Sequence, residues 1–419
     1  GVCISAGGLQ HIKSDRILKL MDAVEGYIGL RAKALGGVAV SDPSSVQAIL
    51  TNTGELAEQN KVLMEQYLTN ISPELRRIRE NTVTQVVSKG LDAVRQDANC
   101  VSRSRLKTNM PFDFFQLLEI PLSMAKRGGS AALQRRLLSK VMEEVTLLSR
   151  DVLTGVQDKW RAAPNDLEED YVCALTNDCG TLLDLLEQLE TRFTSVILTE
   201  QEARHMHAQA ARSMGLSASM GGGGGAAPSV GNADIQRALL SQGYVEDEDD
   251  LSAVQQDLPR AQRELKNCAC SLGNVLRDIV MADRLPHINT IGTPVWAEEG
   301  GKGGAAPIPL LIATLADYFD EFQAYLDPFF FRNLAGQVLQ AVMTAYIAKL
   351  VRVATAHGQV FTRARHLTPA QQSVVRHDVD LLNSSAAEYI RDEDRVVLFK
   401  PLFFARDVLT CSMLEDEDT

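Results

Sequence analysis

Apolar residues recur at intervals of three and four along most of this chain, which is the period of an amphipathic α-helix. Two clear examples lie in the C-terminal part, over 315–326 and over 339–350. Helix starts are indicated by a capping residue followed by proline, as at Asp42-Pro43 and Ser72-Pro73. Each such helix has one apolar face that must be buried against a neighbour. The chain is therefore predicted to be all-α and built from helical bundles.

Strand signals are scarce in comparison. The segment 395–404 is rich in β-branched and aromatic residues, but Pro401 interrupts it, and a proline within such a run argues against a central strand. The sequence contains no regular alternation of strand and helix patterns. This absence argues against an α/β fold with a parallel sheet.

Three segments interrupt the helical pattern. They are the glycine-rich stretch 213–232, the five consecutive acidic residues 246–250 and the Gly/Ala stretch 298–307. Such compositions bury too little apolar surface to offset chain entropy, so we expect flexible insertions there. We predict three domains: a helical bundle over 1–160, a second over 161–300 with the flexible insertion 213–250, and a C-terminal bundle over 301–419.

The composition is that of a soluble globular protein, with 45% hydrophobic and 23% charged residues. The formal net charge of −12 argues against a nucleic-acid partner, because binding to a phosphate backbone depends on positive charge. Seven cysteines at irregular spacings predict a reducing compartment rather than a disulfide framework. The best apolar run, 308–316, is too short to span a bilayer, and no signal peptide is visible.

The N-terminal sequence permits two interpretations. Gly1 to Ser5 has the spacing of a myristoylation site, and Cys3 is placed for palmitoylation. A fragment that begins at an arbitrary glycine would look the same. Lipidation of Gly1 or Cys3 therefore stays open.

No catalytic residue is predicted. Gly301-Lys302-Gly303 lacks the Ser or Thr that follows the lysine of a phosphate-binding loop, and the run Gly221 to Gly225 has no lysine. No G-x-S-x-G motif is present, and the histidines are scattered. We expect a chain that is not an enzyme and binds no cofactor.

No metal site is predicted either. Cys268 and Cys270 are two residues apart, as are His205 and His207. Residues two apart on a helix point about 200° away from each other, so neither pair can hold one metal ion. The remaining close pair, Cys173 and Cys179, is interpreted as small buried apolar residues.

Basic residues form several clusters. On amphipathic helices such residues usually form the solvated face. A cluster could instead contact anionic lipid, at about 1 kcal/mol per basic residue near the surface. The clusters are Arg76, Arg77 and Arg79; Arg103, Arg105 and Lys107; Lys126, Arg127, Arg135, Arg136 and Lys140; and Arg363, Arg365 and His366.

Two stretches of the chain resemble a known family. The stronger is the DYF segment Leu315 to Phe322, which is followed after a Pro-containing break by the apolar helix 337–350. The second runs over 270–296, where a helix leads into a Pro-containing turn and then a tryptophan. A looser likeness covers 171–179 and 192–193. These stretches resemble the exocyst component three family, the sixth subunit of the Sec series.

The resemblance implies consecutive helical bundles stacked into an elongated rod, as in multisubunit vesicle-tethering complexes. It also implies a non-enzymatic subunit that assembles with the other exocyst subunits, engages SNARE proteins and helps dock secretory vesicles. The expected location is the cytoplasm, with peripheral recruitment to the plasma membrane at sites of secretion. The family's long N-terminal helix is not evident, so the chain is expected to represent the C-terminal half.

Two other functions remain as alternatives. The basic clusters and the N-terminal glycine suggest a peripheral protein that binds anionic lipid at a membrane surface. An all-α enzyme, whose catalytic residues meet only in the fold, is the third hypothesis, since such constellations are invisible in one sequence.

Overall fold

The structure is a computed structural model, and it describes residues 14–37, 43–96, 105–127, 131–164, 167–217, 248–291, 296, 307–355 and 367–410. Almost all of these residues are helical. The helices are α1 (Ser14–Gly37), α2 (Pro43–Lys89), α3 (Met110–Arg127), α4 (Ala131–Ala162), α5 (Glu169–Ser217), α6 (Glu248–Asn289), α7 (Pro307–Tyr325), α8 (Pro328–Thr355), α9 (Pro369–Ala386) and α10 (Asp392–Thr410). The predicted all-α class is confirmed. Of the predicted flexible stretches 213–232, 246–250 and 298–307, the parts that the structure describes are helical, because 213–217 end α5, 248–250 begin α6 and Pro307 begins α7. The remainder of these stretches lies outside the described residues.

The only strands among the described residues are two-residue segments. A short 3-10 helix, Gly90–Ala93, follows α2 and leads to β1 (Arg95–Gln96), which pairs antiparallel with β2 (Leu106–Lys107). Gly90 adopts a φ of 53°, a left-handed conformation that glycine reaches without steric cost, and it stands where α2 ends.

Two prolines that were expected to interrupt secondary structure lie inside helices. The predicted helix start at Ser72-Pro73 is wrong, because α2 continues through Pro73. Pro73 is exposed, while Ile71 and Leu75 beside it are buried, so packing holds the helix and water can solvate the carbonyl that lacks a partner. Pro401 likewise lies inside α10, which replaces the interrupted strand pattern over 395–404 with a helix.

Contacts group the described residues into two compact units. The first takes its residues from 1–86, 110–152 and 181–265, and the second from 87–109, 153–180 and 266–419. Helices α2, α4, α5 and α6 are divided between the units. Grouping by contact does not test independent folding, so the three-domain division at 160 and 300 stays a prediction.

The first unit has an apolar core with a partly buried ionic cluster beside it. Its fully buried side chains include Ile17, Leu63, Tyr67, Phe114, Leu118, Leu137, Val141, Leu182, Leu186 and Leu265. Burial of each large side chain stabilises the fold by about 1.5–3 kcal/mol relative to exposure. Beside this core, Arg79 of α2 donates to Glu144 at 2.8 Å and to Asp151, both on α4.

The second unit contains a four-helix group at its C-terminal end. Helices α7, α8, α9 and α10 pack on one another, with Phe319, Phe322, Tyr346 and Phe399 in their core. One carboxylate serves two donors inside this core. Asp378 accepts from the Tyr346 hydroxyl at 2.9 Å and from the Trp296 indole at 3.2 Å. Both donors are buried, so their satisfaction by Asp378 avoids the cost of unpaired polar groups.

A pair of polar residues on α5 joins separate segments of the second unit. The amide of Asn177 donates to the carbonyl of Leu106 at 2.7 Å and to that of Tyr325 at 2.8 Å, and its oxygen accepts from the Asp327 N–H. The adjacent Asp178 accepts from the N–H of Thr108 at 3.0 Å and from its hydroxyl at 2.5 Å. These bonds hold β2 and the α7–α8 turn against α5.

Helix α8 corrects the expectation that no segment is long and apolar enough to cross a bilayer. By length and composition alone, the stretch Pro328–Ala354 meets that test. Its most apolar 18-residue window has a mean hydropathy of 1.4, and 44% of that window is buried within the protein. Leu334, Val338, Val342 and Tyr346 of this helix are all buried. Such burial is typical of a core helix, whose apolar side chains pack against neighbouring helices.

Candidate functional site

Several residues of the predicted basic clusters are engaged within the fold. Arg79 is nearly buried between two carboxylates. Arg105 pairs with Asp327 at 3.0 Å, and Arg136 pairs with Glu65. Their charges are therefore compensated locally rather than offered as a cationic surface.

Other members of these clusters have different surroundings. Arg135 is only 2% exposed, and Lys140 pairs with Glu143 at 2.8 Å. Arg76, Arg77 and Lys126 are exposed. Lys107 is half-buried, and the side chain of Arg127 is not among those described. Arg103, Arg363, Arg365 and His366 lie outside the described residues.

Two cysteines fit the structural role predicted for them. Cys173 and Cys179 are buried, as predicted, and so is Cys268, while Cys270 is exposed. A hydrogen bond with Cys268, together with burial, raises the pKa of Cys179, and burial raises that of Cys173. Both stay protonated thiols, which are poor nucleophiles.

The structure describes some of the side chains considered above as metal ligands. The side chains of His205 and His207 lie outside those described. Within the described ranges, no group of three or more His, Cys, Asp and Glu side chains is arranged to hold a metal ion.

An open groove lies between α3 and α5 in the first unit. Its volume is about 520 Å³, and its walls are mainly apolar, with Phe112, Phe115, Leu189 and Phe193 among them. Phe112 is 49% exposed, although it is a large apolar side chain. Half of the residues that line it are polar or charged, so the groove combines an apolar wall with polar groups, as binding sites commonly do.

The rim of this groove is polar. Arg192 of α5 donates to Glu119 of α3 at 2.7 Å, and both side chains are more than half exposed. Lys126 lies further along α3. An ion pair so exposed contributes little to stability, at about 0–1 kcal/mol.

An exposed apolar strip occurs on α10. Val397, Phe404 and Val408 recur at helical spacing and are each more than half exposed, and Val396 adjoins them. Exposed apolar residues that form a strip mark interaction surfaces more often than isolated ones do. The strip thus adds a second candidate surface, this one in the second unit.

The second unit also contains an acidic cleft of about 680 Å³. Its carboxylates are Glu168, Glu169, Asp170 and Asp283. Burial raises the pKa of Glu169, and the nearby charges of Glu321, Asp170 and Asp283 raise it further. The Glu169 carboxyl group is therefore partly shielded from water and lies in the negative electrostatic potential of the neighbouring carboxylates.

The remaining lining of the acidic cleft is apolar or aromatic. It consists of Leu91, Trp160, Pro164, Leu167, Ile279, Ala282 and Tyr318. The Tyr318 hydroxyl donates to Asp283 at 3.0 Å. No Ser, Thr, Cys, His, Lys or Arg occurs among the described residues that line this cleft, so they supply carboxylates but no paired nucleophile and base.

Sequence reasoning identified none of these surfaces. The acidic cleft brings Leu91, Trp160, Asp170 and Asp283 together from positions far apart in the chain. The acidic run 168–170 was visible in the sequence, but such a run usually forms a solvated helix face. Only the tertiary fold places aromatic walls around it.

A family model described as "Exocyst complex component Sec6" matches residues 231–418. Among solved structures, the chain is similar to "Crystal structure of the C-terminal domain of the exocyst subunit Sec6p", with a TM-score of 0.60 and 11% sequence identity. That match covers 85% of this chain and 79% of the other. No curated protein matches the chain.

The family match and the shared fold have different weight. At 11% identity the structural likeness establishes the fold, while the family match rests on sequence. The predicted resemblance is confirmed: residues 231–418 match the Sec6 family of exocyst components, and most of the chain shares the fold of the Sec6p C-terminal domain.

Proposed function

We propose that this chain is a non-enzymatic subunit of an exocyst-like vesicle-tethering complex that docks secretory vesicles at the plasma membrane. The match of residues 231–418 to the Sec6 family is the observation that carries this proposal. The helical fold supports it, because the apolar faces of its helices pack against one another. Its location would be cytoplasmic, with peripheral recruitment to sites of secretion.

The partners in this proposal are the other exocyst subunits and SNARE proteins. The groove between α3 and α5 and the apolar strip on α10 offer surfaces of the kind that bind amphipathic helices. Both surfaces have large apolar side chains that water does not favour, such as Phe112 and Phe404. Protein docking would cover them.

Affinity purification of the full-length protein tests the assembly with exocyst subunits. We expect the other exocyst subunits to be recovered with the tagged protein in near-stoichiometric amounts, and not with an unrelated helical protein that carries the same tag. Recovery of no exocyst subunit under mild salt conditions would contradict the proposal. Purified SNARE proteins, added to the purified chain, test the second group of partners separately.

Binding to anionic lipid is the alternative function. The exposed Arg76, Arg77 and Lys126 support it, while the ion pairs of Arg136 and Lys140 oppose it. Co-sedimentation with vesicles rich in phosphatidylserine tests this alternative. Electrostatic binding should weaken as salt is raised, since surface charges are screened within about 8 Å at physiological ionic strength.

A further inference from the structure

We propose that the apolar strip on α10 is one half of a coiled-coil seam, and that an amphipathic helix of a partner protein, with charges opposite in sign to Glu393 and Lys400, supplies the other half. This proposal deepens the proposed function and rests on it, because it specifies the kind of helix that the subunit would hold. The seam residues, all exposed, are Val397, Pro401, Phe404 and Val408.

Helix α10 has two apolar faces, and the described part of the chain covers only one. The inner face packs on α8 and α9 and contains the buried Phe399 and Leu402. On the opposite side, Val397 is 74% exposed and Phe404 is 72% exposed. A helix that is apolar on both sides is normally buried on both. The outer face is therefore suited to contact with another molecule.

The spacing of the seam residues is that of a coiled coil. From Val397 to Val408 they follow one another at intervals of four, three and four, which is the alternation of d and a positions in a heptad repeat. Leu398 and Ala405, at the neighbouring e positions, are uncharged and half-buried. At about 1.5 Å per residue the seam is about 17 Å long, so it suits about two heptads of a partner helix.

Charged residues occupy one edge of the seam. Glu393, Lys400 and Asp407 recur at intervals of seven, which places them at g positions, where charges decide the choice of partner in coiled coils. Asp407 pairs with Arg406 at 2.9 Å, but neither Glu393 nor Lys400 forms an ion pair with a described residue. A helix with a basic residue opposite Glu393 and an acidic residue opposite Lys400 would complement this edge.

A second copy of the chain or a membrane fits this edge less well. In a parallel pair of α10 helices, Lys400 would face only the uncharged e positions of the other copy. In an antiparallel pair with Val397 opposite Val408, Glu393 would lie opposite a position beyond the end of α10. An anionic membrane would be repelled by the two carboxylates of the edge, which outnumber its single lysine.

Fluorescence anisotropy with labelled, stapled helical peptides tests the proposal. Each peptide is about three heptads long, with leucine at the a and d positions. On both edges of its seam the mixed peptide has one lysine and one glutamate, so it can match Glu393 and Lys400 in either a parallel or an antiparallel orientation. Two uniform peptides have only lysine or only glutamate there. We expect the mixed peptide to bind the full chain with a Kd about threefold below that of either uniform peptide.

Glu393→Lys tests the charge of the edge, because it leaves two lysines there. We expect this variant to bind the glutamate peptide about threefold more tightly than the wild-type chain does, and to prefer it to the mixed peptide. Glu58→Lys, at an exposed carboxylate of α2, makes the same change of net charge and should leave this preference unchanged. Equal effects of the two variants would overturn the proposal, because they would indicate attraction to net charge alone.

Val397→Glu tests the seam itself, because it places a charge within the exposed apolar surface and leaves the inner face intact. We expect it to raise the Kd of the mixed peptide about tenfold or more. Val62→Glu on α2, where the valine is 48% exposed, is the matched control and should have no effect. Should Val397→Glu lose its helical circular dichroism, Phe404→Glu replaces it. Unaltered binding by the seam variant would overturn the proposal, and so would failure of the mixed peptide to bind.

Two further measurements detect the other occupants. Sedimentation velocity of the full chain would show a dimer that Val397→Glu abolishes if a second copy covered the strip. Co-sedimentation with phosphatidylserine vesicles would show binding that Val397→Glu abolishes if a membrane covered it. Either result would overturn the proposal. None of these outcomes alters the recovery of exocyst subunits with the full-length protein, which tests the proposed function separately.

Discussion

The raised pKa of a buried carboxyl group should make the second unit less stable as the pH rises. Asp178 is fully buried, and burial raises its pKa to about 7 from an ordinary value of 3.8, although the bonds from Thr108 oppose the shift. Below pH 3.8 the carboxyl group is protonated in the folded and unfolded states alike, and its stabilising effect is fully present. Between pH 3.8 and pH 7 the carboxyl group is ionised in the unfolded state but still protonated in the folded state. Each rise in pH over this interval therefore favours the unfolded state, and stability is lost.

The size of this effect follows from the two pKa values. They differ by about three units, and each unit corresponds to 1.36 kcal/mol, so the free energy of unfolding should fall by about 4 kcal/mol over the whole interval. Between pH 5 and pH 7 the expected fall is about 2 kcal/mol. Asp178→Asn keeps the size of the side chain but cannot titrate, so the variant should lack this fall.

Urea unfolding followed by tryptophan fluorescence measures the effect. Trp160 and Trp296 are the only tryptophans, and both belong to the second unit, so the signal reports on that unit. The stability difference between wild type and Asp178→Asn should shrink by about 2 kcal/mol from pH 5 to pH 7. Asp407→Asn, at an exposed carboxylate of α10, should leave the pH dependence unchanged. A wild-type to Asp178→Asn difference that stays constant over this range would refute the reasoning.

Three further substitutions test the packing of the fold. Arg79→Met should lower the free energy of unfolding by about 1–3 kcal/mol, because it leaves the nearly buried Glu144 carboxylate without its donor. Arg192→Met at an exposed pair should cost at most about 1 kcal/mol. Similar urea midpoints by circular dichroism would contradict this. Gly155→Ala should lower the free energy of unfolding by about 1–3 kcal/mol through overpacking, since its Cβ would lie 2.8 Å from a valine methyl. Gly336→Ala should instead raise the melting temperature, because its Cβ would meet no atom within 4 Å and alanine favours a helix. Asp378→Ala should cost about 1–3 kcal/mol for each buried donor left unpaired, and an unchanged melting temperature would argue against that network.

Local patterns were sufficient for the helices but not for all of their ends. The stripes over 315–326 and 339–350 correspond to α7 and α8 because a helix needs only the recurrence of apolar residues every three or four positions. The start predicted at Ser72-Pro73 failed because proline is tolerated where flanking residues are buried and its side of the helix is solvated. Helix α8 was not recognised as long and apolar enough to span a bilayer, because polar residues such as Arg332 and Gln337 interrupt its apolar residues.

The candidate surfaces could not be predicted in the same way. The acidic cleft depends on Trp160, Asp170 and Asp283 meeting in space, and no local pattern encodes that meeting. The same holds for Asp178, whose acidity is set by burial and by Thr108, a residue 70 positions away.

The amino-acid sequence alone determined the helical class and, through the DYF segment, the likeness to exocyst subunits. Both are recorded in short stretches of chain, because helical periodicity and a family's characteristic residues are local properties. The tertiary structure decided which charges are compensated, which carboxylates are buried and where Phe112, Phe404 and the acidic cleft face solvent. These properties depend on the distance between side chains on different helices, and that distance exists only once the helices have packed.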